Sequence, residues 1–297
     1  MKRFTLVGLI VFCCWSSSAA AQAPTPEQRK ATVAYVLSLQ RDNGGFAADA
    51  GKDTPATLPA TSAAVRALKY FGGALPRARE TDQFILHCWD SATGGYAPTK
   101  GGQPDVRTTA VGLMARAEVM TFDANPSLRQ MGAIRFLERE AKTFEDIRIA
   151  AAAFETLKLK PAKAGEWLAV VEKMRNPDGT YGQGGAAARE TASAVVTVLR
   201  LGGTVENRAA VVKVIKDGQR PDGGWSRDGG ASDLETTYRV MRALVMLQEK
   251  PNVPAVLGFV AKCRNADGSY SVQPGQPGTV SATYFASIII HWAEQMK

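Results

Sequence analysis

Histidine is almost missing from this 297-residue sequence: there are two, His87 and His291, beside four cysteines, Cys13, Cys14, Cys88 and Cys263. Metal centres and most proton shuttles are built from these residue types, so the supply for either chemistry is thin. Like charges never run five in a row. The 36 Lys+Arg against 28 Asp+Glu (net +8) are spread along the chain, which argues against a nucleic-acid-binding tail. Aromatics make up only 8%. No uncharged apolar stretch reaches the roughly 20 residues that span a bilayer. What remains is an ordinary globular mixture, 45% hydrophobic and 22% charged, which excludes disordered, collagenous and fibrous classes.

The first 21 residues read as a secretory signal peptide, which predicts an exported mature chain in the periplasm or outside the cell. Lys2 and Arg3 open it, Phe4 to Trp15 form its apolar part, and Ala19-Ala20-Ala21 offer a small-residue cleavage site. An N-terminal membrane anchor is the alternative, but the apolar run is short for one. Phe12 before Cys13 argues against a lipoprotein site. Cleavage removes Cys13 and Cys14, leaves a charge near +6 (8 minus Lys2 and Arg3), and leaves Cys88 and Cys263 as a pair that export would allow to bond. The sequence leaves that pairing open.

Internal repetition is the strongest signal. Five turns place an aromatic after glycine: Gly44-Gly45-Phe46, Gly94-Gly95-Tyr96, Gly179-Thr180-Tyr181, Gly223-Gly224-Trp225 and Gly268-Ser269-Tyr270. Their aromatics are spaced by 50, 85, 44 and 45 residues. The long interval is close to two periods, so a sixth unit near residues 125 to 165 has lost its glycine turn. Each unit reads as one helix, an Asp/Asn/Gly/Pro turn, a polar loop and a second helix rich in Ala and Thr, with apolar residues at spacings of three and four. Pro177 and Pro221 stop helix propagation while the glycines permit positive φ. Gly72-Gly73 and Gly202-Gly203 read as C-caps of two second helices. No alternating strand pattern intervenes. The expectation is an all-α protein of six helical hairpins. Polar end-capping units, which an open solenoid needs, are not apparent, so the hairpins are expected to close as a ring of six inner helices inside six outer ones.

The turns carry a family resemblance. Tyr35-Val36, Gln40, Gly44 and Phe46 share the spacing of the squalene cyclase and prenyltransferase repeat. Val214-Ile215, Gln219, Gly223 and Trp225 repeat it, as do Phe259-Val260, Arg264, Gly268 and Tyr270 with Arg in place of Gln. The resemblance covers nearly the whole mature chain (22–297) and implies a single α/α toroid with a central cavity, similar to a protein prenyltransferase β subunit. Gln40 and Gln219 are expected to bond free backbone groups at neighbouring helix ends, with the aromatics sealing the gaps between units.

The resemblance also implies where zinc would sit, at an Asp-x-Cys pair and a His. Pro104-Asp105-Val106-Arg107 resembles the first stretch with Arg107 in the cysteine position. Asp233-Leu234-Glu235-Thr236-Thr237 resembles the second with Thr236 in the histidine position. Arginine cannot shed its proton to bind a metal, so no zinc and no other cofactor is expected. For terpene-cyclase chemistry the resemblance implies a carboxylic acid. Glu235 with Asp233 is the candidate, provided burial raises the Glu235 pKa; the simpler reading makes Asp233 a helix N-cap. Alignment of the second-helix starts places Thr61, Arg107, Arg189, Glu235 and Ser281 around one rim, thickened by Asp105, Thr108, Glu190 and Thr236. Such a collar suits an anion, although mutual pairing of these charges would explain it as well.

Three functions follow as expectations. The chain is a prenyltransferase β-subunit-like toroid that has lost zinc and binds a ligand or protein partner at its rim. Or it is an active isoprenoid enzyme, transferring a prenyl group or cyclising a terpene with Glu235. Or it acts on an extracellular anionic polysaccharide through Arg107 or Arg189. An isoprenoid or another anionic small molecule is the expected ligand, with no nucleic acid and no membrane span in the mature chain. Whether a second subunit exists is left open.

Overall fold

The computed structural model describes residues 23–120 and 127–296; the signal-peptide reading concerns residues outside these. Among the described residues, twelve α-helices alternate between an outer and an inner layer. The outer helices are α1 (Pro26–Ser38), α3 (Ala78–His87), α5 (Leu128–Glu140), α7 (Ala164–Glu172), α9 (Arg208–Asp217) and α11 (Val253–Lys262). The inner ones are α2 (Leu58–Phe71), α4 (Val106–Val119), α6 (Phe144–Thr156), α8 (Ala187–Arg200), α10 (Leu234–Met246) and α12 (Val280–Gln295). Each inner helix packs on the next, and α12 packs on α2, closing the circle. The expected α/α toroid is the observed fold. Short antiparallel hairpins, β1 (Phe46–Ala47) with β2 (Ala56–Thr57) and β3 (Trp225–Ser226) with β4 (Ser232–Asp233), lead into two of the inner helices.

The repeated glycines seat one unit on the next. Gly44, Gly94, Gly223 and Gly268 all have positive φ, and each lies against the backbone of the following outer helix, at Glu80, Gly132, Ala255 and Ala31 respectively. A β-carbon would collide there, so both the conformation and the approach require glycine. The last contact joins unit six to unit one. Thr32 Oγ1 donates to the Gly268 carbonyl at 2.7 Å, and the Val280 amide donates to the Ala48 carbonyl at 2.9 Å. Gln219 fills the expected role: its amide donates to the Asn252 carbonyl (3.2 Å) and its oxygen accepts the Asn252 amide (3.0 Å) at the start of α11, whereas Gln40 reaches the Thr81 hydroxyl of α3 (3.1 Å). Both also close their own turns by donating to the carbonyls of Gly44 (3.2 Å) and Gly223 (3.0 Å).

A second repeated contact joins turn to inner helix. The backbone N–H of each turn aromatic donates to a buried threonine one turn into that helix: Phe46 to Thr61, Tyr96 to Thr109, Tyr181 to Thr191, Trp225 to Thr237 and Tyr270 to Thr283, all at 2.9–3.1 Å. In the unit without a glycine turn the helices α5 and α6 are joined by residues 141–143 alone. The threonine register is then held by buried Ile147, which has no turn amide to satisfy. Cys88 and Cys263 end α3 and α11 as separate buried thiols. Burial raises them to about 11 and about 12, so neither is a thiolate at neutral pH. No helix among the described residues is long and apolar enough to cross a membrane.

Candidate functional site

The six inner helices run parallel, so their N-termini gather at one mouth of the ring. Asp105 and Asp233 start two of them as N-caps. Each accepts the amide of the residue three positions on, both at 2.7 Å, and the hydroxyl of that same Thr108 or Thr236, at 2.6 and 2.8 Å. A short polar side chain at a helix start satisfies an amide that the helix itself cannot. These aspartates and threonines are therefore committed to the backbone.

Counting from the caps, residues at steps of three and four point inward and line a central cavity of about 420 Å³, within the range of small-molecule sites. Pro59, Arg107, Glu145, Glu235 and Ser281 stand at its mouth. The rim alignment read from sequence is corrected at one place: Pro59, two residues past cap Thr57, is the equivalent of Arg107, whereas Thr61 lies further in and faces its turn. Arg107, Glu235 and Ser281 do border the cavity. Glu190 packs instead over Gly182. Arg189 lies beside the collar with its Nε buried and unpartnered. Burial and the nearby Arg239 charge lower its pKa against the pull of Glu235.

Below the mouth, carboxylates and guanidinium groups form a ladder that no local motif announces. Glu145 accepts from Arg148 (2.8 Å) and Arg239 (3.0 Å), and Arg239 reaches Glu235 at 2.7 Å. Further in, two helix turns past Arg148, Glu155 joins Arg200 (2.9 Å) and Arg242 (2.5 Å), the latter one turn past Arg239. Burial tends to raise Glu145, but Arg148 and Arg239 overcome it and hold this carboxyl at about 2. Glu235 is treated likewise: burial opposes ionisation, and Arg239 with Arg189 and Arg107 outweighs it, so its pKa falls. An acid catalyst needs the opposite shift. Glu235 is an ionised partner of Arg239 and Asp233 is a cap, so neither is set up to donate a proton.

Aromatic side chains adjoin this ladder: Tyr238 shares α10 with Arg239 and Arg242, and the Arg242 guanidinium lies 5.8 Å from the centre of the Trp292 ring. Tyr238 stacks between Phe285 (5.1 Å) and Trp292 (5.7 Å), and Tyr284 lies 5.8 Å from Tyr238. Arg66 reaches across from α2 with its guanidinium 4.3 Å from the centre of the Tyr284 ring.

The residues at the zinc positions do not fit the metal. Arg107 is a permanent cation, the Thr236 hydroxyl is spent on Asp233, and no group of three His, Cys, Asp or Glu suited to a metal occurs among the described residues. No step through zinc follows from this donor set.

The chain belongs to the prenyltransferase alpha-alpha toroid domain family, whose model matches residues 5–146 and 147–295. No curated protein matches it. Among solved structures it is similar to the type II terpene cyclase MstE from Scytonema in complex with its product, merosterolic acid A. The two share 13% identity and a TM-score of 0.63, over 91% of this chain and 97% of that one. A complex of an MstE variant with its substrate, geranylgeranyl dihydroxybenzoate, gives 12% identity and a TM-score of 0.64, over 91% and 96%. A glycosidase variant in complex with glucose is similar at 11% identity and a TM-score of 0.64, over 92% and 97%. At these identities the likeness extends to the fold.

Proposed function

We propose that this protein is an exported, prenyltransferase β-subunit-like toroid that binds a small molecule in its central cavity without zinc-dependent transfer. The observation carrying this reading is the cavity itself: stacked aromatics and a ladder of arginines and glutamates line it together, while Arg107 and Thr236 stand where metal ligands would be. Aromatic faces take the apolar or ring portion of a ligand, and fixed polar groups orient it. Neither Glu235 nor Glu145 offers the carboxylic acid that cyclisation needs, because the arginines beside them hold both ionised. The terpene cyclase and the glycosidase use the same fold with organic ligands of different kinds, which supports a cavity site and does not choose between them.

Elemental analysis of the purified protein together with turnover assays tests the reading. Less than a tenth of an equivalent of zinc is expected after growth with added zinc. No product is expected from farnesyl or geranylgeranyl diphosphate, and no unsaturated fragments from anionic polysaccharides. One zinc per chain, or prenyl-diphosphate turnover abolished by Glu235→Gln, would overturn it in favour of an isoprenoid enzyme. Polysaccharide cleavage lost with Arg107→Ala would point to a polymer-degrading enzyme.

A further inference from the structure

Most guanidinium groups along the cavity are already matched with carboxylates: Arg148 and Arg239 with Glu145, Arg200 and Arg242 with Glu155. Arg66 is different. Midway down α2, partly buried and bordering the cavity, it has no carboxylate or other acceptor within hydrogen-bonding distance among the described residues; the Tyr284 ring lies beneath it, and the Glu118 carboxylate, which acts on it from further away, is bonded to Lys69 at 2.6 Å. Tyr284 is 5% exposed and its hydroxyl, in the same wall, makes no hydrogen bond of full geometry, the Tyr238 phenol beside it being the group that interacts with it. A buried hydroxyl left without a hydrogen bond is costly, and a guanidinium pulled from water without an anion is more so. Two such unmet donor groups side by side, both bordering the cavity, form half of a binding site.

We propose that Arg66 and Tyr284 bind the carboxylate of a small ring-bearing acid whose ring lies along the Tyr238–Phe285–Trp292 wall. This rests on the cavity-binding reading and names its ligand class. Arg107 also lacks a carboxylate partner among the described residues but stands at the mouth, so at the depth of Arg66 a single unmatched cation suits a monoanion better than a diphosphate. The planar guanidinium fork fits a carboxylate through two parallel hydrogen bonds, and the phenol supplies a third donor. Burial pushes the Tyr284 hydroxyl well above its ordinary pKa, so it stays protonated and able to donate. The ring has two sources, aromatic or sugar, which share this carboxylate chemistry.

The test is equilibrium binding of 1-naphthoate and of glucuronate, with 1-naphthamide and glucose as neutral counterparts, to the folded wild-type chain and three variants. At least one acid is expected to bind ten-fold or more tightly than its neutral counterpart. Arg66→Met is expected to weaken it ten- to hundred-fold, the range of a charge-assisted hydrogen bond. Tyr284→Phe is expected to weaken it two- to ten-fold while leaving the melting temperature of the free protein unchanged or higher, since the hydroxyl it removes makes no hydrogen bond of full geometry. Which acid binds identifies the ring. Equal binding of acid and neutral compound, unchanged acid binding in Arg66→Met, or no acid binding at 20 mM would overturn the proposal. Ile149→Trp, which fills the cavity from α6, separates the two readings. Naphthoate binding that is lost in Ile149→Trp but retained in Arg66→Met keeps the cavity site and removes the Arg66 subsite. Binding that survives both variants removes both.

Discussion

Gly223→Ala is expected to lower stability by about 4 kcal/mol or more and to bring the melting temperature down by roughly 8 °C or more. Gly223 has φ +97°, a conformation that costs an L-residue about 1–2 kcal/mol by itself. Its β-carbon would also be driven into the carbonyl of Ala255 in the first turn of α11. That obstacle is helix backbone and cannot swing away like the tip of a side chain. Relief requires the outer helix to move off its neighbour, and in a closed ring one displaced helix strains the whole circle. Gly275 is the control: φ is +79° there with nothing within 4 Å of a built β-carbon. Gly275→Ala should therefore cost only about 1 kcal/mol. Thermal unfolding of the two variants side by side checks this. Equal losses would mean that positive φ, and not the approach of neighbouring units, is what these turns need glycine for.

Glu155→Ala carries the second large effect. The Arg200 side chain is 8% exposed and Arg242 24%, and both depend on this carboxylate, itself 35% exposed. Removing one member of a buried pair costs about 3–5 kcal/mol because the remaining charge is stranded. Water reaching Glu155 reduces the expected loss to about 2–3 kcal/mol. Burial also lowers the Arg200 pKa, with Glu155 opposing that shift, so the arginine relies on its partner to stay charged at low cost. The double variant Glu155→Ala/Arg200→Leu should regain part of the loss, because no charge is then stranded beside α8. Urea unfolding of the single and double variants measures the coupling. A single variant as stable as wild type would show that water, not Glu155, balances these guanidinium groups.

The ring and its site differ in how legible they are in sequence. Turns such as Arg220 to Trp225 are local: proline, aspartate and paired glycines break a helix wherever they occur, and their 45-residue rhythm exposes the repeat. Asp105 and Asp233 are legible as caps for the same reason. The threonines behind the turns were present in the sequence as well, but without the bond from the turn amide, Thr61 aligns equally well with the rim, two residues out of register. Of the cavity ladder only Glu235 is legible in sequence. An inner helix is surrounded on all sides, so Arg66, Arg239 and Arg242 interrupt apolar sequence without revealing whether they face a neighbour or a hollow. The pairing of Arg239 with Glu145 and of Arg242 with Glu155 brings residues 94 and 87 positions apart together, and only ring closure does that. One signal was available: charges in the Ala-rich second helices fall at steps of three and four from the cap, on a face that an ordinary buried helix would keep apolar.

The proposed function makes the central hollow of the closed ring the working part of the molecule. Native mass spectrometry of the wild type and of Ile149→Trp, each incubated with the same small-molecule extract of cells and medium, probes this most directly. The expected spectra show a discrete low-mass adduct on the wild type and none on the variant with its cavity filled. An adduct of equal abundance on both proteins, or no adduct on either, would place the function elsewhere on the toroid.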